Sequence, residues 1–159
     1  MREGLKRGLH DNRAFENPDF KVTREETDQI YLSDKELESM YNLDLTENER
    51  LRKARDLFLL ASYTGLRFGD LDQINRKNIF DDEFLRVRTR KTNETVVIPL
   101  HWIVKELFDK YEGNPPQPIS NQKMNKFIKE VGEKAKINQN VSLTKTKGGI
   151  RKTEYFPKY

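Results

Sequence analysis

The stretch "ASYTGLRFGDL", residues 61–71, places an arginine between two apolar segments. The residues that lead into it, "RDLFLLASY", have the apolar content of a buried helix, and Phe68, Leu71 and Ile74 continue an apolar pattern after it. A guanidinium stays charged in proteins and is costly to bury without a partner. The function of Arg67 is therefore the first question that this sequence raises.

Two interpretations of Arg67 follow from its neighbours. In the first, its stem packs on Phe68 while its head reaches solvent or a nearby carboxylate, Asp70 or Asp72. In the second, Gly65 and the flanking apolar residues hold the guanidinium as a rigid fork for phosphate oxygens. Asp70, three residues later, would then orient that fork from the same helix face.

Composition limits the class of protein. The 159 residues are enough for one domain with a hydrophobic core. The absence of cysteine excludes disulfides and thiol chemistry, and His10 and His101 are too far apart in sequence to indicate a zinc site. Apolar runs are short and the N-terminus lacks a signal-type apolar core, so we expect a cytoplasmic protein that does not enter a membrane.

Charge is distributed unevenly along the chain. Residues 1–80 contain 14 Lys and Arg against 16 Asp and Glu, a net charge of −2, whereas residues 81–159 contain 16 against 10, a net charge of +6. This asymmetry favours a polyanionic partner for the second half.

Capping signals predict three helices in the first half. Residues 1–30 lack sustained periodicity and are interpreted as a linker or extended arm, with one domain over residues 31–159. Ser33 and Glu36 form a capping box before a helix over about 34–42. Thr46 and Glu49 repeat the device for a helix that Gly65 ends, and a third helix of about ten residues runs through Ile74.

The second half adds strands. "FLRVRTR" and "TVVIPL" are β-rich runs joined by "KTNE", which predicts a hairpin. One helical stripe covers residues 103–111, and Ser120 precedes another with apolar residues from Met124 to Ala135. The tail from Val141 is a second hairpin turning at Gly148–Gly149, or a loop. The predicted fold class is α+β, mainly helical, with helices packed on a small antiparallel sheet.

Basic side chains cluster in this half. Arg86, Arg88 and Arg90 alternate, so they share one face of a strand. That face is either a solvated edge that discourages aggregation or a stripe of phosphate contacts. The same two interpretations apply to the tail cations, namely Lys145, Lys147, Arg151 and Lys152.

Three segments resemble one family. "TGLRFGDL" resembles the first catalytic box of the tyrosine recombinases (the phage-integrase family), and residues 31–74 are similar to the start of that catalytic domain in integrases of mobile elements from Bacteroides-type bacteria. "RTRKTNETVVIPL" resembles the family's β-hairpin with its catalytic lysine, which corresponds to Lys91. "ISNQKMNKFIKEVGEKAKI" resembles the helix before the second catalytic box. The resemblance covers residues 30–157.

The resemblance implies a site-specific DNA recombinase. In that family a tyrosine attacks a DNA phosphodiester, which gives a 3′-phosphotyrosyl link and a free 5′-hydroxyl, without a metal or other cofactor. Arg67 would stabilise charge on the non-bridging oxygens, Lys91 would protonate the leaving 5′-oxygen, and Asp70 would support them. The implied partner is double-stranded DNA, bound by a tetramer of the parent protein.

Other family residues have no match in these 159 positions. A His-x-x-Arg box, a later His or Trp and a nucleophilic tyrosine are expected, but Arg151 has no histidine three residues before it, and Tyr155 and Tyr159 come too early. We therefore expect the first half of a catalytic domain, truncated before the second box. The chain should be a monomer, and it should not cleave DNA.

Two other functions remain open from the sequence. The helices joined at "YTGLR" resemble a helix-turn-helix, as in a transcriptional regulator whose second helix reads bases, although Asp70 and Asp72 are unfavourable against phosphates. The other alternative is an interaction domain without a role in nucleic-acid binding. Arg67 discriminates between them, since a head that is paired with an internal acid and points away from Lys91 would weaken the phosphate-clamp interpretation.

Overall fold

The computed structural model describes residues 1–17, 30–147 and 150–158, and within these ranges every side chain except those of residues 145–147, 150 and 151. The chain forms two compact units. The smaller takes residues from Met1–Gln29 and Ser142–Glu154, and the larger takes Ile30–Val141 with Tyr155–Tyr159. Arg67 and Lys91 both belong to the larger unit.

The smaller unit contains short elements. Helix α1, Arg2–Lys6, and a 3₁₀-helix, Ala14–Glu16, lie where an extended arm was predicted. Strands β4, Asn140–Lys147, and β5, Ile150–Pro157, pair as a two-stranded sheet. Of the two interpretations of the tail, hairpin or loop, the paired strands agree with the hairpin, while its predicted Gly148–Gly149 turn lies outside the described residues.

Local capping chemistry starts helix α2, Asp34–Tyr41. The N–H and the hydroxyl of Ser33 both donate to the Glu36 carboxylate, at 2.7 and 2.8 Å, which confirms the predicted capping box. Because Glu36 satisfies the backbone donor of its own N-cap, the chain changes direction there without an unpaired N–H.

Helix α3, Glu49–Thr64, starts with a different cap from the one predicted. The Asn48 side chain accepts from the N–H of Leu51 at 3.1 Å, whereas Thr46 donates its hydroxyl to Asp44 at 2.7 Å. Asp44 and Thr46 thus form a local turn before the helix, and Thr46 is not the N-cap. Gly65 ends the helix with a φ of 65°, a left-handed conformation that glycine adopts without strain.

The prediction of a third α-helix, through Ile74, is wrong. A six-residue 3₁₀-helix, Phe68–Gln73, takes its place and is followed by a shorter one, Arg76–Asn78. Its hydrogen bonds join residues three apart, such as the N–H of Asp70 to the carbonyl of Arg67 at 2.8 Å. The tighter winding places Asp70 inside the protein, where only 2% of it is exposed.

A three-stranded antiparallel sheet follows, in the order β1, β2, β3. The strands are β1, Ile79–Phe80, β2, Phe84–Arg88, and β3, Thr95–Pro99. The predicted hairpin is confirmed, with Leu85 opposite Ile98 and Val87 opposite Val96. Strand β1 was not predicted, because two residues are too few to show periodicity.

Helix α3 is the centre of the larger unit. It contacts α2, α4 (Trp102–Lys110) and α5 (Asn121–Lys134). Its buried leucines Leu59 and Leu60 share one cluster with Leu85 and Val87 of β2 and with residues of α4. The predicted fold class is therefore confirmed, since a mainly helical unit packs on a small antiparallel sheet. Among the helices that the structure describes, none is both long and apolar enough to cross a bilayer.

Candidate functional site

The end of helix α3 turns the Arg67 side chain outward. Thr64 donates its hydroxyl to the carbonyl of Leu60 at 2.6 Å and accepts from the N–H of Leu66 at 3.4 Å. Leu66 is 8% exposed and belongs to the core, whereas Arg67, next in an extended conformation, is exposed. Burial of Leu66 thus presents the following guanidinium to solvent, and the arginine between two core segments is not itself buried.

Lys91 lies in the hairpin turn, residues 89–94, which joins β2 to β3. The N–H of Asn93 donates to the carbonyl of Thr89, and the N–H of Thr89 donates to that of Glu94, both at 2.9 Å. Asn93 has a φ of 59°, a left-handed conformation that asparagine tolerates. The turn therefore has a defined internal structure, and the Lys91 side chain is exposed on it.

Asp70 connects the hairpin turn to the segment of Arg67. One oxygen of its buried carboxylate accepts from the backbone N–H of Arg90 and from the Gln73 amide, each at 3.0 Å. No hydrogen bond joins this carboxylate to the Arg67 guanidinium in the described part of the chain. The orienting contact expected between Asp70 and the guanidinium is thus replaced by a contact that positions the turn.

This hydrogen bond limits how far apart Arg67 and Lys91 lie. Arg67 bonds to Asp70 across a single turn, and Lys91 is the residue after Arg90. Bond lengths therefore keep the α-carbons of Arg67 and Lys91 at most roughly 20 Å apart. Two extended cationic side chains with one phosphate between them span a distance of that order.

An open pocket of about 360 Å³ lies between these elements. Thr64, Arg67 and Asp70 line it from the α3 side, and Thr89, Val96 and Ile98 line it from the sheet. The pocket therefore has a charged rim beside an apolar wall.

Arg67 and Lys91 are available to an external ligand. Neither side chain makes a hydrogen bond or an ion pair with any residue that the structure describes. A pairing of Arg67 with an internal acid would have weakened the phosphate-clamp interpretation, and the described residues supply no such acid. Two exposed, unpaired cations joined through a buried carboxylate are suited to binding an anion.

The three strand arginines differ in their contacts. Arg86 and Arg88 are exposed on β2, with the guanidinium of Arg86 4.5 Å from the centre of the Phe80 ring. Arg88 donates to the carbonyl of Asn93 at 3.3 Å. Arg90 lies beyond the strand and donates to the carbonyl of Gly69 at 2.7 Å and to Asp72 at 2.8 Å.

The tail cations are only partly described. Lys152 is exposed on β5 in the smaller unit. The side chains of Lys145, Lys147 and Arg151 lie outside the described part, so their predicted contacts with DNA stay predictions.

A buried ion network was not predicted. Asp56, 1% exposed, accepts from Arg55 at 2.8 Å, from the Lys110 ammonium at 2.6 Å and from the Tyr111 hydroxyl at 2.7 Å. Burial, and then the hydrogen bond to Asp56, raise the pKa of Tyr111. Since Arg55 also donates to the carbonyls of Tyr41 and Leu43, the network joins α3 to α4 and to the end of α2. Tyr111 lies 55 positions after Asp56, so sequence spacing gave no signal.

The described residues contain no cluster of three or more His, Cys, Asp or Glu side chains arranged to hold a metal ion.

Comparison with solved structures identifies the fold. A lambda integrase tetramer bound to a Holliday junction matches with a TM-score of 0.56 and 22% identity, over 84% of this chain and 42% of that one. Lambda integrase (residues 75–356) bound to DNA matches with a TM-score of 0.55 and 22% identity, over 85% and 52%. A dimer of the same segment on a COC′ core site gives 0.54 and 23%, over 85% and 54%.

The protein thus has the integrase catalytic-core fold, and it spans about half the length of these structures. No family model and no curated protein matches the sequence. At this level of identity the similarity establishes the fold alone, so the function must be argued from the site.

Proposed function

We propose that this chain is part of the catalytic domain of a tyrosine-type site-specific recombinase, which binds double-stranded DNA in the cytoplasm of a bacterium. One observation carries the proposal. The buried Asp70 carboxylate holds the backbone of Arg90, so the turn bearing Lys91 is fixed to the segment bearing Arg67. Both cations are exposed and unpaired with described residues, as ligands for one phosphate should be.

The chemistry follows from these positions. In the proposed reaction a tyrosine hydroxyl gives its proton to a base that is not among the residues we assign, and its oxygen bonds to phosphorus. The bond from phosphorus to the 5′-oxygen breaks, and that 5′-oxygen takes a proton from the Lys91 ammonium. The Arg67 guanidinium stabilises the negative charge that accumulates on the non-bridging oxygens. Without a metal, these two side chains supply the charge stabilisation and the acid. The nucleophilic tyrosine is not among the residues that we assign.

Further cations would contact the DNA backbone. Arg86 and Arg88 project from β2 beside the turn, so we assign them to neighbouring phosphates, and Lys145, Lys147, Arg151 and Lys152 to a second contact region. Since the lambda integrase tetramer was solved on a Holliday junction, we propose that the parent of this chain also works as a tetramer on DNA, although the chain by itself is a monomer.

Two contacts count against the helix-turn-helix alternative. A recognition helix enters the major groove with several free side chains, whereas Phe68–Gln73 is a six-residue 3₁₀-helix. Asp70 is buried in it, and Asp72 is bound to Arg90. Few of its polar side chains are therefore left to read bases.

The salt dependence of DNA binding tests the proposal. For a duplex of about 30 bp between about 50 and 200 mM salt, we expect the logarithm of the association constant to fall linearly with the logarithm of salt concentration. Arg67→Ala and Lys91→Ala should each reduce the magnitude of that slope by about one. Fluorescence anisotropy measures both the affinity and the slope.

Lys53→Ala is the matched control, since it also removes one exposed cation from the larger unit. Lys53 lies eleven residues before the end of α3, roughly 16 Å along the helix from Thr64, and pairs with Glu49. Its substitution should leave the slope within error of the unchanged protein. If the salt slopes of Arg67→Ala and Lys91→Ala equalled that of Lys53→Ala, the site would not bind a phosphate.

A further inference from the structure

Arg90 connects the hairpin turn to the Phe68–Gln73 helix in three ways. Its backbone N–H donates to Asp70 at 3.0 Å, one guanidinium nitrogen donates to the carbonyl of Gly69 at 2.7 Å, and another donates to Asp72 at 2.8 Å. All three acceptors lie within four consecutive residues of that helix. The residue before Lys91 is thus bonded through both its backbone and its side chain to the segment that follows Arg67.

The guanidinium suits this position because its nitrogens lie in one plane and donate in different directions at once. A carbonyl and a carboxylate three residues apart take two of those donors. The pair of Arg90 and Asp72 is partly exposed, at 58% and 36%, so the ion pair by itself contributes little stability. Its effect is geometric, since it fixes the orientation of the turn against the helix.

Arg90 differs in this respect from the other cations of the hairpin. Arg86 lies over the Phe80 ring, and Arg88 bonds only within the hairpin, so neither connects the sheet to the Phe68–Gln73 helix. Arg90 is already ion-paired, so the Asp72 carboxylate offsets the charge of its guanidinium and repels a phosphate placed beside it. Arg67 and Lys91 have no such acidic partner among the described residues.

We propose that Arg90 and Asp72 form a clamp that positions the hairpin turn and, with it, Lys91, and that Arg90 is a positioning residue and not a phosphate ligand. The role of the clamp in presenting Lys91 to DNA rests on the proposed function. Its role in docking the turn does not, because those contacts join residues of this chain to one another.

Amide hydrogen exchange measured by NMR tests the docking. The N–H of residue 90 bonds across to Asp70, whereas the N–H of Asn93 bonds within the turn to Thr89, so the two amides report docking and turn structure separately. Arg90→Gln and Asp72→Asn should each speed exchange at residue 90 by about five- to tenfold, while Asn93 changes less than about twofold. Arg88→Gln is the matched control and should leave residue 90 unchanged.

DNA binding then separates a positioning residue from a ligand. If Arg90 acts through Lys91, adding Arg90→Gln to Lys91→Ala leaves the salt slope at the value for Lys91→Ala alone. If Arg90 contacts a phosphate itself, the slope falls by about one more. Urea unfolding of each variant shows whether the fold is retained.

Three results have distinct meanings. Unchanged exchange at residue 90 in both Arg90→Gln and Asp72→Asn overturns the clamp, and so does a further loss of slope in the double variant. A Lys91→Ala slope equal to that of the unchanged protein overturns the proposed function instead, and the clamp is then judged on the exchange rates alone.

Discussion

Asp56 shows how one buried carboxylate organises its surroundings. It accepts from Arg55, Lys110 and Tyr111, and the Arg55 side chain is itself only 7% exposed. Asp56→Ala removes the carboxylate and leaves the buried guanidinium without its counter-charge. Because an uncompensated buried charge is strongly unfavourable, we expect the free energy of unfolding to fall by about 3–5 kcal/mol, measured by urea denaturation.

Tyr111→Phe is the matched control for this network. It removes one of the three donors and keeps the ring, so the loss should be about 1 kcal/mol. If Asp56→Ala destabilised the protein no more than Tyr111→Phe does, the network would not stabilise the fold as its burial implies.

Two backbone segments approach closely at position 113, and this approach requires a glycine there. Gly113 has a φ of 80°, its carbonyl accepts from the N–H of Arg76 at 2.8 Å, and a β-carbon on it would lie 2.7 Å from the β-carbon of Arg76. Gly113→Ala should therefore lower the free energy of unfolding by about 2–3 kcal/mol, through both left-handed strain and the steric clash.

Gly65→Ala is the comparison for Gly113. Its φ is 65°, but a β-carbon there meets nothing within 4 Å, so only the conformational strain applies, about 1 kcal/mol. Thermal or urea unfolding compares the two, and an equal loss for both would show that the contact with Arg76 relaxes without cost.

At this scale the sequence offered candidate side chains but not their contacts. Arg67 and Asp70 were selected from a single octapeptide, and Lys91 from the resemblance of its hairpin to that of the tyrosine recombinases. The partner of Asp70 was missed, because Arg90 lies 20 residues away and nothing in the spacing links the two. The pairing of Arg90 with Asp72 was missed for the same reason.

Elements bounded by a local chemical signal were predicted well. Ser33 with Glu36, Gly65 and Ser120 mark helix ends through contacts within a few residues, and α2, α3 and α5 have the corresponding ends. The segment after Gly65 was predicted as an α-helix and is a 3₁₀-helix. Its winding follows from tertiary bonds to the hairpin turn, so a local pattern did not predict it.

The contact of Lys158 with α2 gives a pH-dependent prediction at the scale of elements. The Lys158 ammonium donates to Glu36 at 2.7 and 2.9 Å, and this hydrogen bond lowers the pKa of Glu36. A lowered pKa in the folded state stabilises the protein above the unfolded value, about 4.3, and this stabilisation is lost as the pH falls through the folded value.

Lys158→Met should therefore lower the free energy of unfolding at pH 7 by up to about 1 kcal/mol, with a difference that shrinks as Glu36 is protonated in acid. Urea unfolding at a series of pH values measures it. Lys123→Met, which removes an exposed lysine of α5, serves as control. A Lys158→Met effect that is as large in acid as at pH 7 would show that the ion pair does not cause it.

At the scale of the whole molecule, the fold is shared although few residues are. At 22% identity to lambda integrase, this chain matches its fold over 84% of its own length. The uneven charge indicated a polyanionic partner but did not locate it. The candidate site can be located only in the folded chain, where Asp70 joins two segments that are 20 residues apart in sequence.

We expect this 159-residue polypeptide to bind DNA without cleaving it. In the proposed function Arg67 and Lys91 are the phosphate clamp and the acid, and Tyr155, which is 74% exposed, has no assigned role as nucleophile. The substrate for this test is a random pool of nicked DNA duplexes in which a sulfur replaces the bridging 5′-oxygen. We expect the protein to bind this DNA in a salt-dependent way and to give no covalent protein–DNA adduct on a denaturing gel. The sulfur leaves without protonation, so the absence of adduct would reflect the missing nucleophile and not a misplaced Lys91. An adduct lost in Tyr155→Phe or Tyr159→Phe would show that the chain supplies its own nucleophile.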